Sequence, residues 1–593
     1  MFLSSVIILS GIFASASVDT LSAAAVTADR GVTVSRTDTV VFDRGAAMPD
    51  VGETLLAIPG LLLGDNGGLA GLKTVSLRGL GSPHTSVCID GLRVGNVQSG
   101  QTDLGMIGLE DCGGVVVDYA QNSINFTTRR PVFGDSPFAG SAGVDAGSFG
   151  TWLPRVRMDF RLPGSCSLSA HAAGVVSRGD FAFGGGLARE NNDIRQFRGG
   201  ADLFGVTGGG DWVVKTCLNA SERGVPGSAD WPSTDRQSDR NFLIQGVMRH
   251  AFDARNSTNL SAKLSRDRIL YKSEWSDSDG VQTELQLNVS HRFKAGRHCN
   301  LSASAGVVRD LLHSTEYEAS RTSLTGTAGA SFRTGGFRAD ASLVYDGTFD
   351  AVGGHGSLVS NTLSPSLDVR QKLFRGFDVT GFARRAYRTP TFNELYYPGY
   401  GNPELAPEDA WLLDVGADWR GRLHHGLSLK AKVDAFLNHV KDKITSAPTV
   451  EDPSVWMPYN IGEVLVKGVD ADMNLDFASG GMNAALGARY SFQHAGDVPY
   501  VSRHSAVMTA DFSLSGWSAG AVWNLRAGRR DSYGEMPDWN TLDLTAARRM
   551  NLGGLGTAIL RLTCRNVSDM RYSLVSGYPM PGRSLLAGLS INF

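Results

Sequence analysis

Outside its first positions the sequence lacks any run of about 18 apolar residues, the length that a helix needs to cross a membrane. Helical membrane spans are therefore excluded. Since only helices and closed barrels satisfy every backbone hydrogen-bonding group in lipid, a barrel is the one membrane-spanning architecture that this sequence allows.

Cysteine is scarce and charge is nearly balanced. The six cysteines include no Cys-x-x-Cys pair, so neither a zinc site nor a redox motif is indicated. A disulfide between Cys88 and Cys112 requires an oxidising compartment and is left open. The net charge of −3 gives no reason to expect a nucleic-acid partner. Because no nucleophile–base pair, phosphate loop or metal-ligand cluster is discernible, we predict that the chain is not an enzyme.

Proline is also scarce beside glycine, with 21 prolines against 72 glycines, and aromatic residues are plentiful. That composition favours many strands joined by turns over a helical protein. From residue 138 to residue 593, short segments alternate between apolar and polar residues. In segment 337–345, for example, Leu343 lies on the apolar face opposite Arg338, and segments 427–437 and 558–565 repeat the pattern.

Alternation with charge on one face predicts strands that meet lipid outside and a wet lumen inside. A soluble β-sandwich or propeller is the alternative, but the same pattern continues without a second composition class to the end of the chain. At roughly 20 residues for a strand and its connection, residues 138–593 hold about 22 antiparallel strands. Three stretches are predicted to be long polar extracellular connections: residues 223–240, 274–283 and 396–408.

The chain begins with a short apolar run that ends in Ala14, Ser15 and Ala16, a small-x-small cleavage pattern. Although a positive n-region is missing, residues 1–16 are predicted to be a secretory signal peptide. The run is too short to span a membrane as a helix. We therefore expect export.

Residues 37–135 do not alternate, and mix a helix-like segment at 51–58 with glycine-rich loops and short apolar strands. They predict a small α+β domain. Residues 53–60 resemble the Glu-x-Leu-x-x-x-Pro-Gly helix and turn of the plug domain of TonB-dependent receptors. The family's Arg-Gly strand end and Ile-Asp-Gly turn correspond to Arg78, Gly79, Asp90 and Gly91.

The resemblance implies an active transporter in the bacterial outer membrane. Its fold would be an all-β transmembrane barrel, residues 138–593, surrounded by outer-membrane lipid and filled by the plug, residues 37–135. The chain end agrees, because residues 566–583 resemble the last strands of these receptors. The terminal aromatic Phe593 is identified with the assembly signal of outer-membrane barrels.

Just after the predicted cleavage site, residues 17–36 resemble the TonB box and its linker. Such a box pairs by strand addition with the TonB energy coupler of the inner membrane. An unstructured processed tail is the alternative interpretation. The box residues are Val18, Asp19, Thr20, Leu21, Val26, Thr27 and Ala28.

One stretch departs from the family pattern. Residues 115–121 run directly into residues 122–128, whereas these receptors usually carry about ten more residues before the strand that leaves the plug. We therefore expect the packing of the plug, or its exit into the barrel, to differ from that of its relatives.

The cargo is inferred from the plug loops. Tyr400 and Gly401 precede an Asn-Pro-x-Leu box where haem receptors carry a histidine, which argues against haem. Two glycine-rich loops resemble the apical loops of the family's cobalamin receptors, and bare backbone suits the amides of a bulky corrin. The predicted substrate-binding residues are Asp65, Asn66, Gly67, Gly68, Leu69, Asn96, Val97, Gln98, Ser99 and Gln101.

Alternatives to cobalamin uptake are kept open. The glycines are also consistent with simple turns, and a ferric siderophore is the rival cargo. His84 is expected to be a hydrogen-bonding turn residue rather than a cobalt ligand. Glu274, Asp277 and Asp279 are candidates for a calcium site in an extracellular loop, but a solvated acidic loop tip is the favoured interpretation. A surface lipoprotein partner is left open.

Two further functional classes are disfavoured. A signalling receptor would need an extra domain before the plug, and the interval 17–36 leaves no room for one. A passive porin would lack both the plug and the TonB box.

We expect Leu21→Pro to abolish accumulation of labelled cargo in cells while leaving its binding to the cell surface intact. Proline removes a backbone N–H that strand addition uses. Leu21→Val retains that N–H and serves as the control. Undiminished accumulation in the proline variant would show that residues 18–28 are not the TonB box.

Overall fold

The computed structural model of the chain describes residues 5–7, 37–41, 51–58, 60–274, 277–353, 355–449, 452 and 455–593. Most of the predicted signal peptide and the whole predicted TonB box lie outside these residues, so both stay predictions. The described residues form a barrel of long strands and a small domain in its lumen.

Twenty-two strands of the described residues form a closed antiparallel barrel, which confirms the predicted architecture and strand number. Each strand pairs with its neighbour in chain order, and the last strand pairs with the first. The strands are Phe138–Gly147, Thr151–Leu162, Cys166–Ser177, Ile194–Thr207, Gly210–Gly227, Pro232–Ala251, Asn256–Lys272, Asp277–Lys294, Cys299–Ser314, Glu318–Thr334, Phe337–Val352, His355–Phe374, Phe377–Arg388, Glu408–His424, Leu427–Lys441, Glu463–Ser479, Met482–His494, His504–Leu514, Trp517–Ala527, Trp539–Asn551, Thr557–Arg565 and Ser584–Asn592.

The two faces of the barrel wall differ as the alternation predicts. On strand Phe337–Val352, Leu343 is 46% exposed while Arg338 is 5% exposed. The same contrast separates Leu562 from Arg561 near the end of the chain. Apolar side chains therefore cover the outer surface, where lipid solvates them, and charged side chains point into the lumen.

Connections at one end of the barrel are short, and several at the other end are long. Outer-membrane barrels have short periplasmic turns and longer extracellular loops, so the long connections mark the extracellular end. These carry a short helix, Phe392–Tyr396, and four small hairpins. The hairpins are Ala182–Gly184 with Leu187–Ala188, Ile444–Pro448 with Trp456–Asn460, Arg529–Arg530 with Glu535–Met536, and Ser573–Val575 with Tyr578–Pro579.

Two of the three predicted extracellular connections are shorter than predicted. Strand Gly210–Gly227 and strand Pro232–Ala251 occupy almost all of residues 223–240, and strand Asp277–Lys294 begins inside the second stretch. Some of their polar residues are buried strand residues: Arg223 and Asp239, for example, form an ion pair. The third stretch is a genuine connection, which follows the helix Phe392–Tyr396.

The domain in the lumen combines a sheet, a separate hairpin and a helix. Its sheet contains, in order, Ser5–Ile7, Thr37–Val41, Cys112–Asp118, Ser123–Thr128, Ser86–Ile89 and Leu92–Arg93. Strands Leu61–Asp65 and Lys73–Leu77 form the hairpin, and residues 51–58 contain the predicted helix, Val51–Leu56. The core between them contains Leu55, Ile58, Leu61, Leu77, Val115, Ile124 and Phe126.

The stretch that departs from the family pattern forms a tight β-hairpin. Strands Cys112–Asp118 and Ser123–Thr128 pair directly, and Asn122 adopts a positive φ of 47° in the turn. Nine residues then connect Thr128 to the first barrel strand at Phe138. The shortened segment is thus accommodated by the turn.

The remaining helical segments are single 3-10 turns at Ser82–His84, Leu104–Met106, Ser148–Gly150 and Gly553–Leu555. Among the described residues, no helix has both the length and the apolar character needed to cross a membrane.

The barrel closes at its last residue. The backbone N–H of Phe593 donates to the Gly140 carbonyl at 3.0 Å, and the Gly140 N–H donates back at 2.7 Å. The Phe593 ring stacks on Phe138, with ring centroids 5.6 Å apart. A Cβ on Gly140 would lie only 2.5 Å from the Phe593 ring, so glycine permits this close approach. Phe593 therefore extends the seam beyond the strand.

We expect deletion of Phe593 to reduce the fraction of folded barrel in the membrane without changing synthesis, because both the seam hydrogen bonds and the terminal aromatic are lost. Heat-modifiable gel mobility measures the folded fraction. Phe374→Ala removes an exposed aromatic elsewhere, one that stacks on Phe377, and is the control. Equal folded fractions in the deletion variant and the unaltered protein would refute the role of Phe593.

Candidate functional site

The Arg-Gly motif of the plug is anchored in the barrel wall. The buried Arg78 guanidinium lies 2.7 Å from Asp414 and 2.9 Å from Asp470, both on barrel strands. It also lies over the Phe436 ring, 4.2 Å from the centroid. Arg78 and Gly79 both have positive φ, which turns the chain so that the guanidinium faces the wall. This motif fixes the plug, and contributes no open binding surface.

The second plug motif stabilises a turn. Asp90 has a φ of 50°, and its carboxylate accepts a hydrogen bond from the Thr128 N–H at 2.8 Å. The Gly91 N–H donates to the Asn125 side chain at 2.7 Å. From the barrel, Gln245 donates to the Asp90 carboxylate at 3.4 Å. Asp90 and Gly91 therefore hold the start of the second plug loop in place.

The first predicted substrate loop, residues 65–71, is closed on itself and covered. The buried Asp65 carboxylate accepts hydrogen bonds from the N–H groups of Gly67 and Gly68, at 2.9 and 2.8 Å. Extracellular segments lie over the loop: Asn192 donates to the Gly67 carbonyl at 3.1 Å, and Pro581 lies against Gly68.

The last residue predicted in this loop, Leu69, packs against the barrel wall beside Leu153 and Ile194. Asn66 is partly buried, and its backbone N–H donates to the Leu72 carbonyl.

The residues of the second predicted loop, 96–101, lie in two different environments. Val97 packs against Phe392 of the extracellular helix, and the Gln98 carbonyl accepts from the Asn393 N–H at 2.9 Å. Three residues face the other way and line a cavity between the plug and the barrel wall. These are Asn96, Ser99 and Gln101.

This cavity has a volume of about 370 Å³. Its wall is formed by lumen-facing residues of the barrel strands between Cys166 and Lys294, and its inner side by plug residues 94–112. Amide side chains, which offer both donors and acceptors, surround it. They are Asn96, Gln101, Asn219, Gln237, Asn241 and Gln282.

Two of these amides, Asn219 and Asn241, form a belt with Gln196 and Asp267 across neighbouring strands. Gln196 donates to Asn219 at 2.7 Å, Asn219 donates to Asn241 at 2.8 Å, and Asn241 donates to Asp267 at 2.8 Å. The belt fixes the orientation of each amide, so the polar wall of the cavity is ordered before any ligand arrives. Gln101, on the plug side, makes no side-chain hydrogen bond within the described residues.

The periplasmic end of the cavity is closed by a buried ionic cluster. The Lys215 ammonium of the wall contacts Asp111 of the plug and lies 3.3 Å from Asp202. His171 lies 3.6 Å from Asp111 through Nε2. Burial alone raises the pKa of Asp111, but the Lys215 ammonium holds it well below its ordinary value. The cluster links plug and barrel at the base of the cavity.

The same cluster is the one group of three side chains, among the described residues, that combines suitable metal-ligand types at close range: Asp111, His171 and Asp202. The Lys215 ammonium already lies between the two carboxylates and supplies the compensating positive charge. The arrangement therefore fits an internal ion pair.

His84 and Asp279, one of the candidate calcium residues, have other partners. His84 Nε2 shares a hydrogen bond with Glu408 of the wall, as expected of a polar turn residue, and burial lowers the pKa of His84 against the influence of that carboxylate. Asp277 and Asp279 belong to a strand, so the prediction of an acidic loop tip is wrong for both. The Asp279 carboxylate is paired with Arg268 at 2.9 Å. Cys88 and Cys112 are both buried free thiols, so the disulfide is absent.

The barrel side of the cavity was not identified from the sequence. Asn219, Asn241 and Gln282 occupy lumen-facing positions on strands with apolar–polar alternation. That position is the only feature of the sequence that could have indicated them. Many other polar residues of the barrel carry the same signal. Which of them meet the plug depends on how the plug is oriented in the lumen.

Comparison with known proteins identifies the family to which this architecture belongs. Residues 121–567 match the family described as "TonB dependent receptor-like, beta-barrel", and residues 29–131 match the "TonB-dependent Receptor Plug Domain". The barrel match spans most of the chain. The chain belongs to the TonB-dependent receptors. The receptor is thus an outer-membrane protein of a family of transporters and receptors, with TonB as the implied partner.

Among curated proteins, the receptor is 21% identical over 604 residues to the vitamin B12 transporter BtuB of Vibrio vulnificus, covering 91% of this chain and 89% of the relative. Solved structures with the same fold include the copper transporter OprC, with a TM-score of 0.78, 13% identity, and coverage of 94% and 98%. The siderophore receptor PirA from Acinetobacter baumannii gives a TM-score of 0.74, 13% identity, and coverage of 95% and 98%. These structures support the fold alone.

We expect Lys215→Met to destabilise the receptor by about 3–5 kcal/mol, because it leaves two buried carboxylates without their ammonium partner. Chemical unfolding of the purified receptor measures the change. Lys430→Met removes a lysine from an exposed pair with Asp476 and is expected to cost at most about 1 kcal/mol. Equal effects of the two substitutions would show that the cluster does not hold the plug in place.

Proposed function

We propose that the receptor imports a corrinoid of the cobalamin class across the outer membrane, with energy supplied through TonB. The observation that carries the proposal is the ring of six amide side chains around the cavity, two of which come from the plug and four from the wall. The periphery of a corrinoid bears amides, and each amide needs a paired donor and acceptor when it leaves water. The similarity to BtuB supports the same cargo.

The size of the cavity limits how such a cargo binds. Small-molecule pockets typically measure about 300–1,000 Å³, and the cavity lies near the lower end. A complete corrinoid is larger than about 370 Å³. In this proposal, one edge of the ring enters between Gln101 and the amide belt, while the rest lies above, among the extracellular loops.

The energy for release would come from the N-terminal segment. We propose that residues 1–16 are removed as a signal peptide and that residues 17–36, with Val18 to Ala28 as the box, engage TonB. Residues 37–135 then act as the plug and residues 138–593 as the barrel.

A ferric siderophore is the second candidate. Four basic side chains line the cavity: Arg198, Lys215, Arg223 and Lys263. Each has a carboxylate partner, namely Glu110, Asp111, Asp103 and Glu284. An anionic chelate would therefore have to compete with these carboxylates, whereas a corrinoid can use the amides directly. The likeness to PirA keeps the siderophore as the comparison ligand.

The decisive measurement is isothermal titration of the purified receptor with cyanocobalamin and, separately, with a ferric siderophore. We expect cyanocobalamin to bind, and Gln101→Leu to weaken binding about 5- to 100-fold, because a buried partner amide is left unpaired. Gln371→Leu, at the periplasmic end of the wall, is the matched control. Binding of the ferric chelate with no response to cyanocobalamin would overturn the cargo and leave the family unchanged.

A further inference from the structure

Two arginines at the extracellular end of the barrel are buried without a carboxylate partner among the described residues. Arg526 and Arg529 are each 4% exposed. Arg526 donates to the carbonyls of Leu525 and Leu56, both at 2.9 Å. Within the part of the chain that the structure describes, neither guanidinium has a further hydrogen bond, ion pair or ring contact beyond these and the ones described below.

The partners of Arg529 are likewise backbone carbonyls. Its terminal nitrogens donate to Ser573 at 2.9 Å and to Pro537 at 2.8 Å. Asp538 exerts an electrostatic influence on it, but that side chain is exposed and accepts from the Gly528 N–H. Burial lowers the pKa of Arg529 to about 10, so it remains a cation at neutral pH.

One tryptophan lies against both guanidiniums. The Trp539 ring is 5.8 Å from the Arg526 guanidinium carbon and 5.9 Å from that of Arg529, and it packs on Tyr572. Two donors here are buried and make no hydrogen bond to any described residue: Arg529 Nε and Trp539 Nε1. Both atoms can only donate.

Two buried positive charges beside two unused N–H donors are a costly arrangement. Carbonyl oxygens carry only partial charge, so they satisfy hydrogen bonds without neutralising a guanidinium. A bound anion would neutralise the guanidinium charge and would also accept hydrogen bonds from the unused N–H donors. We propose that Arg526, Arg529 and Trp539 form an anion-binding site for a phosphate or carboxylate group beneath the extracellular segment 528–538.

The site is separate from the amide-lined cavity. Its residues belong to strands Trp517–Ala527 and Trp539–Asn551 and to the segment between them, whereas the cavity wall lies between Cys166 and Lys294. The carbonyl of Leu56 ties it to the plug helix Val51–Leu56. An anion at this point therefore binds where plug, wall and extracellular loop meet. The inference does not depend on the identity of the cargo.

The test is isothermal titration of the intact purified receptor with inorganic phosphate and with citrate, without any cobalamin. We expect at least one of the two to bind, and Trp539→Phe and Arg529→Gln each to weaken that binding about tenfold or more. Trp539→Phe retains an aromatic ring and removes the unused N–H, but it also makes a buried side chain smaller, so the variant must be shown to fold before its binding is compared. Heat-modifiable gel mobility measures this.

The chain offers a matched control pair. Arg548 lies over the exposed Trp517 at the periplasmic end, 4.9 Å from the ring centroid. Trp517→Phe and Arg548→Gln should leave oxyanion binding unchanged. Binding of phosphate alone identifies a phosphoryl site, and binding of citrate alone a carboxylate site. Absence of binding by both anions, or binding that Trp539→Phe and Arg529→Gln do not alter, would overturn the proposal.

Discussion

Closure of the sheet between Ser584–Asn592 and Phe138–Gly147 is the constraint on which the rest of the receptor depends. A strand edge in lipid would expose unpaired backbone groups, each costing several kcal/mol, so the sheet must end on itself. Once it is closed, every strand has one face in lipid and one in the lumen. The period-two sequence of the wall follows directly from that geometry.

The plug fills the lumen of the barrel and is held there by individual polar contacts with the wall. Arg78, His84 and Asp111 of the plug each meet a charged residue of the wall. Such buried pairs bring little net stability, because desolvation offsets much of their attraction. They do specify one orientation of the plug, since a displaced plug would leave charges unpaired. That orientation also places Gln101 opposite the amide belt.

The fold could be predicted from the sequence because local patterns encode it. Alternation in segments such as 337–345 depends only on neighbouring residues, and the plug motifs at Arg78 and Asp90 are contiguous. The site could be predicted only in part. The loop at 65–71 has the composition of an open apical loop, yet Pro581, more than 500 residues later, lies against it. Likewise, Asn96 and Gln98 are near neighbours in sequence but face different surroundings. Contacts between distant segments decide both cases.

The connections along the extracellular rim of the barrel differ in length from one sector to another. From Gly210 to Phe374, neighbouring strands are joined at the extracellular end by turns of only two to four residues, whereas the longest connections arise from the remainder of the circumference. The cavity wall falls largely within the short-turn sector. A bulky solute thus has its least obstructed approach over that sector, directly above the amides. Connections long enough to reach over a bound solute therefore arise mainly from the rest of the rim.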